Sequence, residues 1–576
     1  MPAWFLCYAM KKSTRTSPGG SAIDYSRENM RWNGWGSLDR DYSEKEKLAP
    51  FLDFMAERLG MSNGVRSPSV ALEELSLPPS RFKRAALNAL GSIAGKENVT
   101  TDPRERVLHS VGRSYIDLVR LRGAMIRDYV DAVVYPRNEK QIQRLLEWCS
   151  KNRAAVIPFG GGSSVVGGVN APEKRKGPTL SLDTHHMNRL LEIDPYSRLA
   201  DFEPGLYGPQ AEALLNAKGY TLGHFPQSFQ YSTLGGWAAS RGAGQFSDRY
   251  GKIEDIITSL RMTTPVGIVE TERSPANALG PDIKEILTGS EGVFGVITRI
   301  TAKIRPLPEK ELFFGAIFPD FISGSDFLRD LSQNGPPVAM ARLSDADETA
   351  FLMEASRLSG KNNSLKRVVH ALEDGALRLL GFGPDASLLI IGLQGDTNEI
   401  KRGEILMRSL IRRYNGQYLG RKIGAKWLKD RYDAPFLRDH MLERGIAAET
   451  LETSVSHDRA LSLHQAVREA LKIADPSCLT GCHISHIYPD GLCLYFTLIY
   501  EIDPDRPEAQ WKMLKTRATE AVLNGGGSLS HHHGVGLYHR PWFQKKAGAP
   551  VINALRSLKR EWDPRGIMNP GKILDP

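Results

Sequence analysis

Three glycine-rich stretches, each joined to an apolar run, constrain this chain more than any other feature. They read "PFGGGSSVVGGV" from Pro158 to Val169, "HFPQSFQYSTLGGWAASRGAG" from His224 to Gly244, and "GSEGVFGVIT" from Gly289 to Thr298. In the first, three successive glycines follow a strand-like run, so backbone N–H groups can approach a pyrophosphate without side-chain interference, and the adjoining Ser163 and Ser164 hydroxyls can donate as well. The stretch lacks the G-x-G-x-x-G spacing of a Rossmann turn, and no lysine follows it as in a P-loop. Taken alone, it is a turn as readily as a phosphate site. Three such loops in one region can instead wrap a long phosphate-bearing cofactor from several sides.

The surrounding pattern places these loops in an α+β region. At 576 residues the chain exceeds what one core can fill, and 41% apolar residues suffice for two to four domains. There is no internal repeat. Residues from about 40 to 125 show helix-like apolar spacing, as in "LAPFLDFMAERLGM", which predicts a helical leader over 1–127. From Asp131 the texture changes to "DAVVYP", the amphipathic "NEKQIQRLLEWCSKN" and "AAVIPFGGGSS", a β-α-β start. It continues through "TLSLD", "RLADFEPG" and "ITSLRMTTPVGIVE", giving a domain over 128–307. From Leu312 strands and helices alternate ("LFFGAIFPD", "GSDFLRDLSQN", "VAMARLSD", "SLLIIGLQGD", "NEIKRGEILMRSLIRRYN"), which predicts an antiparallel sheet covered by helices over 308–524. The segment 525–576 holds "SLSHHHGVG", the helix-like "PVINALRSLKREW" and "DPRGIMNPGK".

Charge and cysteine use exclude several classes. The net charge of +9 suits an anionic ligand or a weak attraction to anionic membrane surfaces, but the basic residues are scattered and no nucleic-acid-binding signature is present. The odd, sparse cysteines Cys7, Cys149, Cys478, Cys482 and Cys493 argue against a disulfide framework and for a reducing compartment. Cys478 and Cys482 lack a second pair, so zinc is not expected there. In "MPAWFLCYAMKK" the positive charges follow the apolar run, unlike a secretory signal. No run approaches the roughly 20 apolar residues of a membrane-spanning helix. The terminal "ILDP" is not a peroxisomal tripeptide.

The trio His531, His532 and His533 in "SLSHHHGVG" admits three readings: a metal site, proton handling, or a polar loop. Consecutive residues project alternately, so at most two of the three can face one ion.

Read together, Pro-x-Gly-Gly-Gly-Ser, Thr-x-Gly-Gly, Gly-Ser-Glu-Gly-x-x-Gly-x-Ile-Thr and "DPRGIMNPGK" resemble the FAD-linked oxidases of the vanillyl-alcohol oxidase type. Within them "RWNGWG" (Arg31 to Gly36), "STLGGWAASRGAG", "YGKIEDII", "LETSVSHDR" and above all "GGSLSHHHGVG" resemble the alkyldihydroxyacetonephosphate synthases, from about residue 30 to the end. The resemblance implies an α+β fold: a vanillyl-alcohol oxidase-like, PCMH-type FAD-binding domain in two subdomains, an antiparallel-sheet cap, and a C-terminal segment returning to the active site. It implies that Pro158, Gly160, Gly161, Gly162, Ser163 and Ser164 cradle the FAD pyrophosphate. Pro226, Ser232, Thr233, Gly235, Gly236 and Ser240 would line the cofactor, with Glu291, Gly292 and Ile297 on its far side. Some relatives attach flavin through a histidine beside the first loop, where this chain has Ser163, so non-covalent FAD is expected.

The same resemblance gives Tyr495 the acid-base role, sets the histidine trio at the reacting end of the pocket, and brings in Arg342 and Arg438. A guanidinium fork suits phosphate, and we assign Arg438 to the substrate phosphate and Arg342 to the flavin-side chemistry. Relatives that oxidise 2-hydroxyacids carry a metal-binding histidine and an acid where this chain has Tyr495 and His532, so no metal is expected. The implied reaction exchanges the acyl group of an acyl dihydroxyacetone phosphate for a long-chain fatty alcohol and is non-redox overall, a transferase chemistry of ether lipid biosynthesis in which flavin is electron sink and covalent handle. A cytoplasmic homodimer, peripheral to a membrane because both substrates carry lipid tails, is the expected setting. The alternative is an FAD-linked 2-hydroxyacid or alcohol dehydrogenase or oxidase on the same fold.

Overall fold

The computed structural model describes residues 23–61, 67–358 and 381–575. The "MPAWFLCYAMKK" stretch with Cys7 lies outside them.

The first sheet contains Val99–Thr100 (β1), Ala132–Val134 (β2), Ala155–Phe159 (β3) and Thr179–Asp183 (β4), in the order β1-β2-β4-β3. Strands β2 and β3 both run parallel to β4. They are buried on both faces, as the unbroken apolar runs of a parallel sheet require. The β2-to-β3 crossover is the helix Glu139–Asn152, capped by the Asn138 side chain and packed through Ile142, Leu145, Leu146 and Cys149.

The next strands are Leu190–Asp194 (β5), Leu199–Phe202 (β6), Tyr220–Thr221 (β7), Ile257–Thr264 (β8), Gly267–Glu270 (β9), Val296–Lys303 (β10) and Arg305–Pro306 (β11). Five of them form an antiparallel sheet in the order β5-β6-β10-β8-β9, and β7 pairs with β11. The first glycine-rich loop follows β3, the second lies between β7 and β8, and the third runs into β10, and all three line one cavity.

The largest sheet has seven strands: Lys310–Phe318 (β12), Met340–Ser344 (β13), Ser387–Gly395 (β14), Gln417–Gly420 (β15), Ile446–Ser456 (β16), Leu479–Tyr488 (β17) and Gly491–Glu501 (β18). Their order is β15-β12-β14-β13-β17-β18-β16, antiparallel throughout. One face is the main core. On β18, Leu492, Leu494, Phe496, Leu498 and Tyr500 point into it, against residues such as Leu463 and Val467 of the helix His457–Ala474 and Leu514 and Ala518 of Pro507–Asn524. Side chains alternate along a strand, so Cys493, Tyr495 and Thr497 face the other way, toward the glycine loops. The α+β architecture with an antiparallel cap is the one expected.

The leader does not form a layer of its own. Its helix Leu48–Arg58 packs Phe51 edge-on against Phe351 at 5.3 Å, beside Met441, Ile446 and Ile499 of the large sheet's region. The C-terminal helix Arg540–Trp562, broken at Gly548, leads to a tail that adds to the free edge of β3: Val156 N–H donates to Ile567 O and Asn569 N–H to Val156 O, both at 2.8 Å. Asn569 Nδ2 then donates to Gly168 O at 2.9 Å and Glu291 O at 2.6 Å, fastening the first and third glycine loops together.

Candidate active site

A single cavity of about 1700 Å³ runs between the glycine loops and the open face of the large sheet. A site for one small ligand typically has roughly 300–1000 Å³, so this one has room for a dinucleotide and a second molecule. Its walls include Pro158, Gly160, Gly161, Gly162, Ser163, Ser164, Pro226, Ser232, Thr233, Gly235, Gly236, Ser240, Glu291, Gly292 and Ile297 on one side and Arg342, Arg438, Tyr495, His532 and His533 on the other. His531 is not among them.

The cradle is built by close backbone approach. A Cβ on Gly161 would lie 2.0 Å from the Tyr231 carbonyl oxygen, and Gly162 has φ +68°, so only glycine fits at the first and is unstrained at the second. Thr233 caps the short helix Leu234–Ser240 by accepting the Gly236 N–H, and that helix begins against the first loop. Arg27, from the leader, donates to the Gly160 carbonyl at 3.1 Å and to buried Asp183 at 2.8 Å, which fixes the loop from behind. Glycine N–H groups and the hydroxyls of Ser163, Ser164 and Thr233 are donors of the kind a pyrophosphate and a ribityl chain need, the Ser232 and Ser240 hydroxyls donate to the Ser228 and Gly236 carbonyls, and the cavity has the volume, so the residues present fit FAD. Glu291 lines this region but its carboxylate is engaged: it accepts the Val535 N–H at 2.6 Å and the Gly536 N–H at 2.7 Å. It therefore holds the histidine loop against the cradle. Burial pushes its carboxyl up to about 7.

The opposite wall is a row of side chains set by strand register. Tyr495 on β18 lies directly opposite Glu452 on β16 and His483 on β17. The Tyr495 ring stacks on His483 at 4.9 Å and on His532 at 6.0 Å, and meets His533 edge-on at 5.8 Å. Burial, chiefly, pushes the Tyr495 phenol up to about 12, so it is a proton donor at neutral pH.

Glu452 explains the shape of the histidine loop. Its carboxylate accepts the N–H groups of three consecutive residues, His531, His532 at 3.1 Å and His533 at 2.9 Å, and the Ser530 hydroxyl at 2.7 Å. Burial opposes its ionisation, but the facing imidazoles of His532, His533 and His531 outweigh it, and its carboxyl stays well below the usual range. Burial in turn takes His532 down to about 3 and His533 to about 4. His532 stands where the metal-binding relatives carry an acid, but the fold supplies an acid, Glu452, from a distant strand, which sequence adjacency cannot show. The signal was the glutamate of the "LETSVSHDR" motif. His531 turns away from the cavity and bonds through Nε2 to the Tyr488 hydroxyl at 2.6 Å, with its Nδ1 3.0 Å from Nδ1 of His532. Ligand atoms of Glu452, Cys493, His531 and His532 lie within 4.8 Å of one another, the one group among the described residues with the composition to hold a metal ion. The Glu452 oxygens in it already serve four donors.

The two arginines differ. Arg342 on β13 donates to Glu348 at 2.6 Å and lies 3.2 Å from His483 Nδ1, which is 2.9 Å from the other Glu348 oxygen. Arg438, on the helix Ala434–Glu443, donates through Nη1 to the Arg113 carbonyl at 2.9 Å, while its Nε and Nη2 are buried without a partner. Unpaired buried guanidinium donors beside a cavity are suited to an anionic ligand. The "RWNGWG" motif braces this helix: the Trp35 N–H donates to Asp439 Oδ2 at 2.5 Å, and Gly36 packs against the Phe436 ring. On the Arg438 side the cavity wall also carries an apolar cluster of Phe54, Met55, Phe351, Leu437, Met441 and Ile499, while charged residues such as Arg58, Arg468 and Lys472 line the cavity elsewhere. Sequence reasoning does not single out Glu348, His483 or this apolar arm; His483 stands in "CHISHIYPDGLCLYF", Cys482 to Phe496, and only the sheet register shows that it flanks Tyr495.

Comparison with known proteins bears on the family and the fold. The family described as FAD binding domain matches residues 130–272, and FAD linked oxidases, C-terminal domain, matches 307–573. An alkyldihydroxyacetonephosphate synthase of Trypanosoma brucei brucei is 33% identical over 574 residues, 95% of this chain and 92% of that protein. Its counterpart in Dictyostelium discoideum is 31% identical, over 96% of each chain. A solved structure of an alkyldihydroxyacetonephosphate synthase superposes with a TM-score of 0.80 at 28% identity, covering 94% of this chain and 99% of that one.

Proposed function

Because this chain belongs to the alkyldihydroxyacetonephosphate synthases, a branch of the FAD-linked oxidases, we propose how its own residues carry that reaction. It is an FAD-dependent enzyme that exchanges the acyl group of an acyl dihydroxyacetone phosphate for a long-chain fatty alcohol. The observation that carries the assignment of roles is the continuity of one cavity from glycine cradle to Tyr495, to the unpaired donors of Arg438, to an apolar arm.

FAD, bound by the loops around Gly160–Ser164, Thr233 and Gly236, supplies an electron sink for the carbon that loses its acyloxy group. Arg438 takes the substrate phosphate. Its Nε and Nη2 lie on one edge of the guanidinium and can make a paired contact with two phosphate oxygens. Tyr495, protonated at neutral pH, holds or returns a proton at the reacting carbon, and His532 and His533 keep the phenol oriented and the pocket wall neutral. Arg342 holds its charge at the cavity wall through Glu348. The apolar arm takes the lipid tail, and closing it with acyl or alkyl chain excludes water.

Incubation of the FAD-loaded protein with an acyl dihydroxyacetone phosphate and labelled hexadecanol is the test. Ether product with no net flavin reduction is expected; bleaching by a 2-hydroxyacid, with no ether formed, would transfer the site to the redox reading. The proposal also includes a homodimer and peripheral contact with a membrane surface, which the two lipid tails favour. Among the described residues no helix is long and apolar enough to cross a membrane. Co-sedimentation with anionic vesicles and analytical ultracentrifugation check these two points.

A further inference from the structure

The exchange has two protons to manage: one at the reacting carbon and one on the incoming hydroxyl. Tyr495, protonated at neutral pH, can return a proton at the reacting carbon, but while it carries its own proton it cannot accept the one on the hydroxyl. The row that carries Tyr495 holds a further group the mechanism has not used. His483 is buried, lines the same cavity and stacks on the Tyr495 ring at 4.9 Å. Its Nδ1 is 2.9 Å from Glu348 Oε2 and 3.2 Å from Arg342 Nη2, so one ring nitrogen is committed and Nε2 remains. A carboxylate on one nitrogen fixes the ring's orientation and tautomer and stabilises the imidazolium that forms when the other accepts a proton. Glu348 is suited to this because Arg342 shares it: burial opposes its ionisation, but His483 and Arg342 hold its carboxyl at about 2.

We propose that His483, oriented by Glu348 and Arg342, is the base that accepts the hydroxyl proton of the incoming fatty alcohol. The proposal deepens the synthase reading and rests on it. In the net exchange, the O–H proton passes to His483 Nε2 as an alcohol oxygen electron pair forms the new bond to C1. The acyloxy oxygen leaves C1 with the electron pair of the broken bond, as carboxylate, and the proton is later lost to water. No electrons are gained or lost overall. His483 is held below its ordinary value by burial and by Arg342, against the pull of Glu348, so it is a neutral base near pH 7. The charged and titratable groups facing it are Glu348 and Arg342, with Asp345 behind them, Tyr495 on the adjacent strand, and His532 beyond the Tyr495 ring. Glu348 is a positioning residue.

The test separates the two protons on the full-length, FAD-loaded enzyme. Acyl dihydroxyacetone phosphate deuterated at C1 reports loss of the C1 hydrogen, and labelled hexadecanol reports alcohol entry. For His483→Gln, alcohol incorporation should fall on the order of 10²-fold or more while C1 deuterium loss stays within about threefold of wild type. Equal loss of both, or no loss of incorporation, would overturn the proposal. Wild type that shows neither activity would instead sink the synthase reading beneath it. Glu348→Gln removes the anion that favours the imidazolium, so the acid limb of the pH profile for alcohol incorporation should move to lower pH. A limb that stays in place would remove Glu348 from the proposal, and should this variant not load FAD, His483→Asn with the same two labels decides the matter.

Discussion

The two walls of the cavity are built on opposite principles. The cradle side presents glycine backbone and neutral hydroxyls, and its ionisable groups, Asp183 and Glu291, face inward to structural partners. The sheet side presents the Tyr495 phenol and the His483 imidazole, set by the register of β16, β18 and β17, with Arg342 from β13, Arg438 from the helix Ala434–Glu443 and the imidazoles of the histidine loop beside them. One wall fits a ligand by letting main chain come close; the other acts on a ligand through side chains held in rows. The lesson is that substitutions should divide cleanly between those that lose flavin and those that lose turnover.

The sharpest break would be at Tyr495. Replacement by Phe keeps the ring and its stacking, so turnover should fall on the order of 10² to 10⁴-fold with flavin content unchanged, read from the absorbance ratio and the product assay. Loss of flavin in this variant would blur the division between the walls. Alanine at His532 or His533 should reduce turnover by about 10 to 10²-fold, with a smaller effect at His531, which faces Tyr488 rather than the cavity. Chelators should leave wild-type turnover unchanged; stoichiometric metal and chelator-sensitive activity would assign Glu452, Cys493, His531 and His532 a different task.

Arg438→Ala should raise KM for the phosphate-bearing substrate by about 10 to 100-fold, since a charge-assisted contact is worth roughly 1.5 to 3 kcal/mol, and Lys should rescue only in part. Flavin retention should not change. On the other wall, Gly161→Ala forces a Cβ against the Tyr231 carbonyl, a strain of about 1 to 3 kcal/mol, and flavin occupancy should drop while any flavin-loaded fraction turns over normally. Wild-type flavin should come free on acid precipitation, as Ser163 leaves no histidine at that place for a covalent link.

The smallest effect lies where the walls join. Asp248, from the second glycine loop's side, accepts the Ala341 N–H at 2.9 Å and the Ile487 N–H at 3.1 Å on the large sheet, and burial pushes its carboxyl up to about 7. A carboxyl raised in the folded state stabilises fully below its unfolded value near 3.8, and that contribution is lost as pH rises through about 7. Thermal unfolding of Asp248→Asn against wild type across pH 4 to 8 should show the variant losing less stability on the way up. Parallel curves would exclude Asp248 as a titrating link.

The two walls were unequally legible in the sequence. Glycine loops announce themselves locally, because close approach of backbone demands glycine wherever it occurs, and every cradle position from Pro158 to Ile297 faces the cavity. The register of three strands is a long-range property. Nothing near Tyr495 in the chain indicates that Glu452 and His483 stand on either side of it, since pairing across strands is settled by the hydrophobic pattern of the opposite face, Leu451 with Phe496 and Cys482 with Phe496. Arg438 was accessible as a type of residue, but its two unpaired donors are a fact of packing.

The grip of Glu452 on three successive N–H groups has a consequence for how this site can change over time. At positions 531 to 533 the carboxylate takes its hydrogen bonds from main-chain N–H groups, so the bend there does not need an imidazole as the donor. Those three positions can exchange imidazole for amide or hydroxyl while the bend persists. An enzyme built this way can acquire a new chemistry one residue at a time without first unlearning its shape.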